Sequence, residues 1–480
     1  MNSFDAIVIG AGQGGWPLAR ALATAGRRVA LVERRFLGGT CVNDGCTPTK
    51  TLIASARVAH LTRRSSDYGV HASDVRVNLR RVRERVREQV TTSRGKIETE
   101  ADKIKGLEVI HGAARFTAPK KLEVALNDGG TLELRAELIF VDTGTRNVIP
   151  DIDGLREVPF LDNTSILDLE TLPEHLLVLG GGYIGLEFAQ ALGRLGSRVT
   201  VLDRGEQFLP KEDADISDAL LETLRDEGVN VLLGAKVQSV RGDAQEVRLE
   251  GNFQTLHGSH LLVAVGRTPN TDTLNLGAAG IETDEKGFVR VDDALETTVS
   301  GVYALGDVKG GAQHTHIAYD DHRIVRDALL HGKHRNRQDR LEPYTIYTDP
   351  QLARVGLNER DAVKQGIEAV VYTLPMTRVA RALETDETRG FMKALADDTG
   401  RILGATVLGV DGGEVLSVIQ TAMMGKLTVN DLREAVYSHP SLSESLNNLF
   451  AAEPRALEGV TPVPALLRCF NGAHGRGRWV

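Results

Sequence analysis

The stretch Ala6-Ile7-Val8-Ile9-Gly10-Ala11-Gly12-Gln13-Gly14-Gly15 reads as a short buried strand running straight into a glycine-rich turn. An Ala/Leu-rich helix follows to Ala25 and stops at Gly26, and a second strand, Val29 to Val32, ends in Glu33. In such a turn Gly10 permits the tight bend, Gly12 lets the backbone approach a pyrophosphate, and Gly15 lets helix and strand pack closely. The helix N-terminus then faces the phosphates, and an acid such as Glu33 can accept a hydrogen bond from a ribose 2′-hydroxyl. One such turn alone is weak evidence, because a glycine-rich bend between strand and helix can be purely structural.

The same grammar returns further on. Leu176-Leu177-Val178-Leu179 leads into Gly180-Gly181-Gly182-Tyr183-Ile184-Gly185, a helix to Leu195, Gly196, and a strand Val199 to Leu202 that ends in Asp203. Gly10 to Glu33 and Gly180 to Asp203 are equally far apart in sequence. Two dinucleotide folds in one chain explain this most economically, with Gly180, Gly182, Gly185 and Asp203 in the roles of Gly10, Gly12, Gly15 and Glu33. Turn-rich residues 147–154 and 265–270 bracket the second copy as an insertion. The expected architecture is α/β: one Rossmann-like domain from 1–150 and 267–342, a second at 151–266 inserted into it, and an α+β domain at 343–455. Residues 456–480 read as a loose basic tail.

Composition narrows the function. At roughly 150 residues per domain, the 480 residues are expected to form about three domains. With 57 basic and 65 acidic residues the net charge is −8, which argues against a nucleic-acid binder. Apolar residues at 41% and charged ones at 25% are ordinary for a globular chain that can bury sizeable cores. No apolar run reaches the roughly 18 to 20 residues of a membrane span, and residues 1–10 lack the pattern of a signal peptide. Three cysteines cannot make a disulfide framework, so the expected compartment is the reducing cytoplasm. The alternating Arg and Glu of residues 78–105 are expected on a solvated helix laced with ion pairs.

The chemistry starts at Gly38-Gly39-Thr40-Cys41-Val42-Asn43-Asp44-Gly45-Cys46-Thr47-Pro48-Thr49-Lys50. In a regular helix residues five apart are separated by about 7.5 Å of rise, whereas bridged Cα atoms are usually about 4.4 to 6.8 Å apart. A Cys41–Cys46 bridge therefore requires distorted backbone, which Gly45 can supply, and a strained bridge is readily reduced. Two unrelated buried thiols are the structural alternative. Zinc is the weaker one, since no further pair of ligands stands nearby.

This segment resembles the redox segment of the flavoprotein disulfide reductases, a family that includes dihydrolipoamide dehydrogenase, glutathione reductase and mercuric reductase. The resemblance runs from residue 4 to about residue 452. It implies FAD in the first dinucleotide unit and NADH or NADPH in the inserted one. It also implies that Cys46 is the flavin-facing sulfur and Cys41 the sulfur that meets substrate. Thr297-Thr298-Val299-Ser300-Gly301-Val302-Tyr303-Ala304-Leu305-Gly306-Asp307 resembles the second flavin motif, whose aspartate holds the ribitol chain. Lys50 and Glu187 match the ion pair beside the flavin, and Tyr183 the side chain over the nicotinamide pocket. Gly39, Thr40, Gly144 and Gly266 join the cofactor-binding set.

Tyr437-Ser438-His439-Pro440-Ser441-Leu442-Ser443-Glu444 resembles the family's His-Pro…Glu dyad. A free thiol with a pKa of about 8.5 is only a few per cent thiolate at neutral pH, so a proton-handling partner is needed. In the family this histidine serves the disulfide of the other subunit, which implies a homodimer. Asp203 favours NADH, while Arg204 leaves NADPH open. Leu209-Pro210-Lys211-Glu212-Asp213, Asp320 through Asp327, and His439 through Phe450 resemble the reactive-chlorine-resistance, mercuric-reductase-like branch. That implies a metal ion such as Hg(II) or Cu(II), or an oxidant or disulfide, as acceptor, with dihydrolipoamide dehydrogenase as the alternative. Cys469 stands without the vicinal partner of mercuric reductases, and His314-Thr315-His316 is expected to flank the flavin rather than to ligate a metal. A redox sensor or non-catalytic flavin protein is the rival class, and the proton-handling dyad argues against it.

Overall fold

A computed structural model describes residues 2–459; the remainder of the expected tail, with Cys469, lies outside the described residues. The chain forms two compact units, one of residues up to Val201 with Lys236–Arg340, the other of Leu202–Ala235 with the chain from Leu341 on.

In the first unit, strand β1 (Asn2–Ile9), helix α1 (Gly15–Thr24) and strand β2 (Val29–Glu33) follow the expected order. Helix α2 (Gly39–Asn43), helix α3 (Cys46–Arg63) and helix α4 (Leu79–Ala101) precede strands β3 (Leu107–Ala118), β4 (Lys121–Leu126) and β5 (Thr131–Val141). β1 lies between β2 and β5, parallel to both, with Ile9 opposite Val141. Alternation explains the two cores around this sheet. Ala6 and Val8 face a cluster with Leu18 and Leu22 of α1, while Ile7 and Ile9 face Phe116, Leu122 and Leu134. The register of β1 against β5 puts the residues just after each strand, the Gly10 turn and Asp142, side by side.

α4 is the solvated charged helix expected between 78 and 105, although it ends at Ala101. Asn78 caps it by accepting from the Arg81 amide, and Arg81–Glu88 and Arg94–Glu98 pair along its surface. β6 (Thr145–Asn147) pairs antiparallel with Arg267–Pro269, so the chain leaves the first dinucleotide unit and returns to it on one ribbon. Between them come β7 (His175–Leu179), α5 (Tyr183–Leu195) and β8 (Arg198–Leu202). β7 is buried throughout and pairs parallel with His260–Val263.

The second unit is built on an antiparallel sheet of strands 344–346, 351–356, 402–409, 391–396, 370–375 and 455–456, in that spatial order. Ala353, Val355, Val407, Leu416, Ile419 and Leu449 belong to the core that covers it. Lys393 is buried on strand Phe391–Ala396, held by Asp213, Asp215 and Glu359 at 3.1, 2.7 and 2.8 Å. Among the described residues no helix is long and apolar enough to cross a membrane.

Candidate active site

The first glycine turn is packed too tightly for side chains. A Cβ on Gly10, whose φ is +101°, would meet the Asp142 carbonyl oxygen at 2.3 Å, and one on Gly15 would meet that of Gly10 at 2.1 Å. A Cβ on Gly12 would sit 2.8 Å from Asp142 Oδ2, and one on Gly39 only 2.7 Å from the Gly12 Cα. The Gly15 amide donates to Asp142 Oδ2 at 2.6 Å. Glu33 accepts from the Ala11 amide at 2.9 Å and the Arg35 amide at 2.8 Å, so its carboxylate braces the turn as well as ending β2. Thr40 lies beside Gly39 in the first turn of α2.

Asp142 was not among the expected site residues. It directly follows β5, and burial drives its carboxyl well above the usual carboxylate range. Asp307 is also pushed up by burial, against the pull of Arg267, and accepts from Thr145 Oγ1 at 2.9 Å. Asp321 is buried and charge-compensated, 3.2 Å from Lys309 and 2.6 Å from Arg340, and takes the Gly306 amide at 2.8 Å. Gly144, at φ +63°, turns the chain between Asp142 and Thr145.

The second turn repeats the backbone constraints. A Cβ on Gly180, at φ +110°, would lie 2.4 Å from the Ala264 carbonyl oxygen, and one on Gly185 would lie 2.2 Å from that of Gly180. Gly182 has nothing within 4 Å of a Cβ. Gly266, at φ +134°, begins the return toward Arg267. Asp203 follows β8 and accepts from the Gly205 amide at 2.7 Å.

The cysteines occupy a broken helix. α2 contains Cys41, the backbone departs from helical geometry at Gly45 (φ −136°, ψ −116°), and Cys46 starts α3. A Cβ at Gly45 would be 2.8 Å from the Thr40 carbonyl oxygen, which is why glycine stands at the break. Cys41 is half-buried and Cys46 exposed, side by side across the break. Their side chains are within hydrogen-bonding reach of each other. That bond, then burial, raises the Cys41 thiol, while Cys46 is brought down to about 6 chiefly by the bond from Cys41, helped by Thr315 and Lys50. Thr315 Oγ1 lies 3.3 Å from Cys46 Sγ, a contact that spans 269 residues of sequence.

Lys50, one turn into α3, reaches Glu187 Oε2 at 2.7 Å; Glu187 is 3% exposed on the buried face of α5. Tyr183 opens α5 as an exposed side chain, and its ring lies 6.2 Å from that of His314. His314 and His316 stack at 5.4 Å beside Thr315. Among the described residues no group of three or more His, Cys, Asp and Glu could hold a metal ion.

In the second unit, His439 Nδ1 lies 2.9 and 3.0 Å from the two oxygens of Glu444, whose amide donates to Ser441 Oγ at 3.1 Å. The imidazole is 69% exposed, so its second nitrogen can exchange a proton with a group brought to it.

Two closely packed glycine turns, each ending a buried parallel strand, fit a pair of dinucleotides, and the crowding at Gly12, Gly15 and Gly39 leaves backbone alone against a pyrophosphate. The pattern for "Pyridine nucleotide-disulphide oxidoreductase" matches residues 4–321, and that for the dimerisation domain of the same group matches residues 342–450. The chain is 40% identical over 456 residues to the probable pyridine nucleotide-disulfide oxidoreductase RclA of Escherichia coli K12, covering 94% of this chain and 99% of the relative. It is 36% identical over 451 residues to a mercuric reductase of Streptomyces lividans, covering 93% of this chain and 95% of that one. Its fold matches the Cu(II) complex of the HOCl-induced flavoprotein disulfide reductase RclA from Escherichia coli with a TM-score of 0.87, at 40% identity and over 94% and 99% of the two chains.

Proposed function

Because this chain belongs to the pyridine nucleotide-disulphide oxidoreductase family and is a flavoprotein disulfide reductase, we propose that Cys41 and Cys46 are its redox centre, reducing a thiophilic metal ion. Bound FAD supplies the hydride-accepting ring between NAD(P)H and the sulfurs. Gly10, Gly12, Gly15, Glu33, Gly39, Thr40, Gly144 and Asp307 hold it, while Gly180, Gly182, Gly185, Gly266 and Asp203 hold the nicotinamide nucleotide under Tyr183. Asp203 selects NADH, since a carboxylate repels a 2′-phosphate. The flavin domain comprises 1–150 and 267–342, the nicotinamide domain 151–266, and the interface domain 343–455. The enzyme is a cytoplasmic homodimer.

The observation that carries this assignment is the pair of cysteines brought together at the Gly45 break, with Thr315 Oγ1 3.3 Å from Cys46 Sγ and Lys50 one turn further along α3. Lys50, anchored by Glu187, favours the Cys46 thiolate by its charge, and Thr315 does so by hydrogen bonding. In the homodimer His439, oriented by Glu444, serves the cysteine pair of the other subunit, accepting the proton of its Cys41 when that sulfur attacks and returning it afterwards. One NAD(P)H supplies the hydride that reduces the disulfide to the Cys41 thiol and the Cys46 thiolate. The pair returns to disulfide as two Cu(II) take one electron each, or one Hg(II) takes two, and the Cys41 proton leaves.

Thiolate pairs prefer soft metal ions, and the relatives named above are a mercuric reductase and a protein crystallised with Cu(II). The test is NADH turnover by the purified holoenzyme with Cu(II), Hg(II), lipoamide and glutathione disulfide side by side. Many turnovers with a metal ion, lost in Cys46→Ser, are expected. Faster turnover with lipoamide would replace the acceptor, and a single turnover with every acceptor would make the protein a sensor.

A further inference from the structure

Thr145 is buried at the start of β6, and its hydroxyl oxygen lies 2.7 Å from Arg267 Nε and 2.9 Å from Asp307 Oδ2. A guanidinium nitrogen can only donate, so the single hydroxyl hydrogen goes to Asp307 and the group is not free to turn away. Arg267 is itself fixed, because Nη2 donates to the Thr145 carbonyl at 2.9 Å. The ribbon that carries both residues is tied on either side of them. The Asn270 amide donates to the Gly144 carbonyl at 3.0 Å, Asn270 Nδ2 to that of Thr143 at 2.8 Å, and the Val148 amide to that of Gly266 at 3.0 Å. Next to Asp307, the Gly306 amide donates to Asp321 Oδ2 at 2.8 Å, so the turn that bears the aspartate is held from two directions.

We propose that Thr145 is a positioning residue for the flavin: its hydroxyl, aimed by Arg267, fixes Asp307 for the ribitol chain. Oδ2 of Asp307 takes the Thr145 hydrogen, and among the described residues Oδ1 has no hydrogen-bond partner, which leaves that oxygen for a ligand hydroxyl. The arrangement serves either charge state of the aspartate: ionised, Oδ1 accepts from a hydroxyl, and protonated, it donates to one. Thr145 lies on the strand that leaves the first dinucleotide unit, and Arg267 on the strand that returns to it directly after Gly266. One hydroxyl therefore joins both crossings of the inserted unit to the flavin aspartate. A threonine that only filled space would need neither partner. Here, loss of the hydroxyl leaves a guanidinium N–H and a carboxyl oxygen unmatched at once, and unmatched polar groups of this kind are costly.

The inference rests on Asp307 being a flavin ligand, as proposed above, and the experiment separates the two. Holoenzyme is placed in dilute urea, where flavin fluorescence follows the release of FAD and far-UV circular dichroism follows unfolding in the same samples. Thr145→Val keeps the shape and removes the hydroxyl, Thr145→Ser keeps the hydroxyl, and Arg267→Met removes the group that aims it. The expected result is release roughly tenfold faster in Thr145→Val, ahead of any unfolding, and within about twofold of the natural protein in Thr145→Ser. Arg267→Met should release FAD a few-fold faster, and adding it to Thr145→Val should change little further, because Arg267 acts through the hydroxyl. Equal release from Thr145→Ser and Thr145→Val, release that only keeps pace with unfolding, or multiplied effects in the double variant would each overturn the proposal. If Thr145→Val does not fold, unchanged release from Arg267→Met overturns it alone. Retention of FAD by Asp307→Ala as tight as in the natural protein would instead overturn the flavin assignment beneath it.

Discussion

Gly10–Gly15 and Gly180–Gly185 exclude side chains at the same two places: a Cβ on the first glycine would meet a neighbouring strand's carbonyl oxygen, and one on the last would meet that of the first, at 2.3 and 2.1 Å in one turn and 2.4 and 2.2 Å in the other. Behind the first turn stands the carboxyl of Asp142; behind the second, at the matching place after strand His260–Val263, stands Ala264. The backbone of a dinucleotide turn is thus dictated by packing, while the side chain behind it is left free to set the local charge. On the proposed assignment the flavin, held for the life of the enzyme, takes the acid-backed turn. The nicotinamide, which must leave in each cycle, would on the same assignment meet an open glycine, Gly182.

The largest expected effects fall on what the two turns share. Gly15→Ala drives a Cβ into a backbone carbonyl that cannot move aside, so the protein should purify without FAD, measured by flavin absorbance per chain. Gly185→Ala should keep its FAD and instead raise the KM for NADH by roughly tenfold or more, about 1.4 kcal/mol or above. Equal flavin loss in both would erase the distinction between the sites.

The middle glycines should then diverge in stability. Gly12→Ala crowds Asp142 Oδ2 and is expected to cost about 1–3 kcal/mol, read by denaturant unfolding. Gly182→Ala should leave unfolding within about 0.5 kcal/mol of the natural protein, because no protein atom lies within 4 Å. Ala264→Asp carries the acid across to the second turn. Since Ala264 is only half-buried, the introduced carboxylate is ionised at neutral pH, and the effect should be a few-fold weakening of NADH binding relative to the natural protein, read by the rate of flavin reduction at low NADH. Lys50→Met should be the mildest: without the ammonium, the thiolate of Cys46 should persist only to a pH somewhat above 6.

Local features of the fold were legible in the sequence, and long-range ones were not. Gly26 and Gly196 end the helices as expected because positive φ at a helix end is a one-residue signal. The C-x4-C spacing foretold the backbone break, which falls at Gly45. Lys50 and Glu187 are 137 residues apart, and only the resemblance pointed to their pairing. The Thr315 contact to Cys46 had no local signature at all. Asp142 left a trace, an acid closing the apolar strand Leu138–Val141, but its meaning depends on β5 lying beside β1, which no window of sequence reveals.

The central claim is that Cys41 and Cys46 carry the electron pair beside the flavin, with Cys46 as the thiolate. It is tested most directly by anaerobic reduction of the holoenzyme with one equivalent of NADH, following long-wavelength thiolate-to-flavin absorbance from pH 5 to 8. The account predicts a band that is present at pH 8, falls with a midpoint near 6, and is absent in Cys46→Ser. No band at any pH, together with undiminished metal-ion turnover in Cys46→Ser, would contradict it.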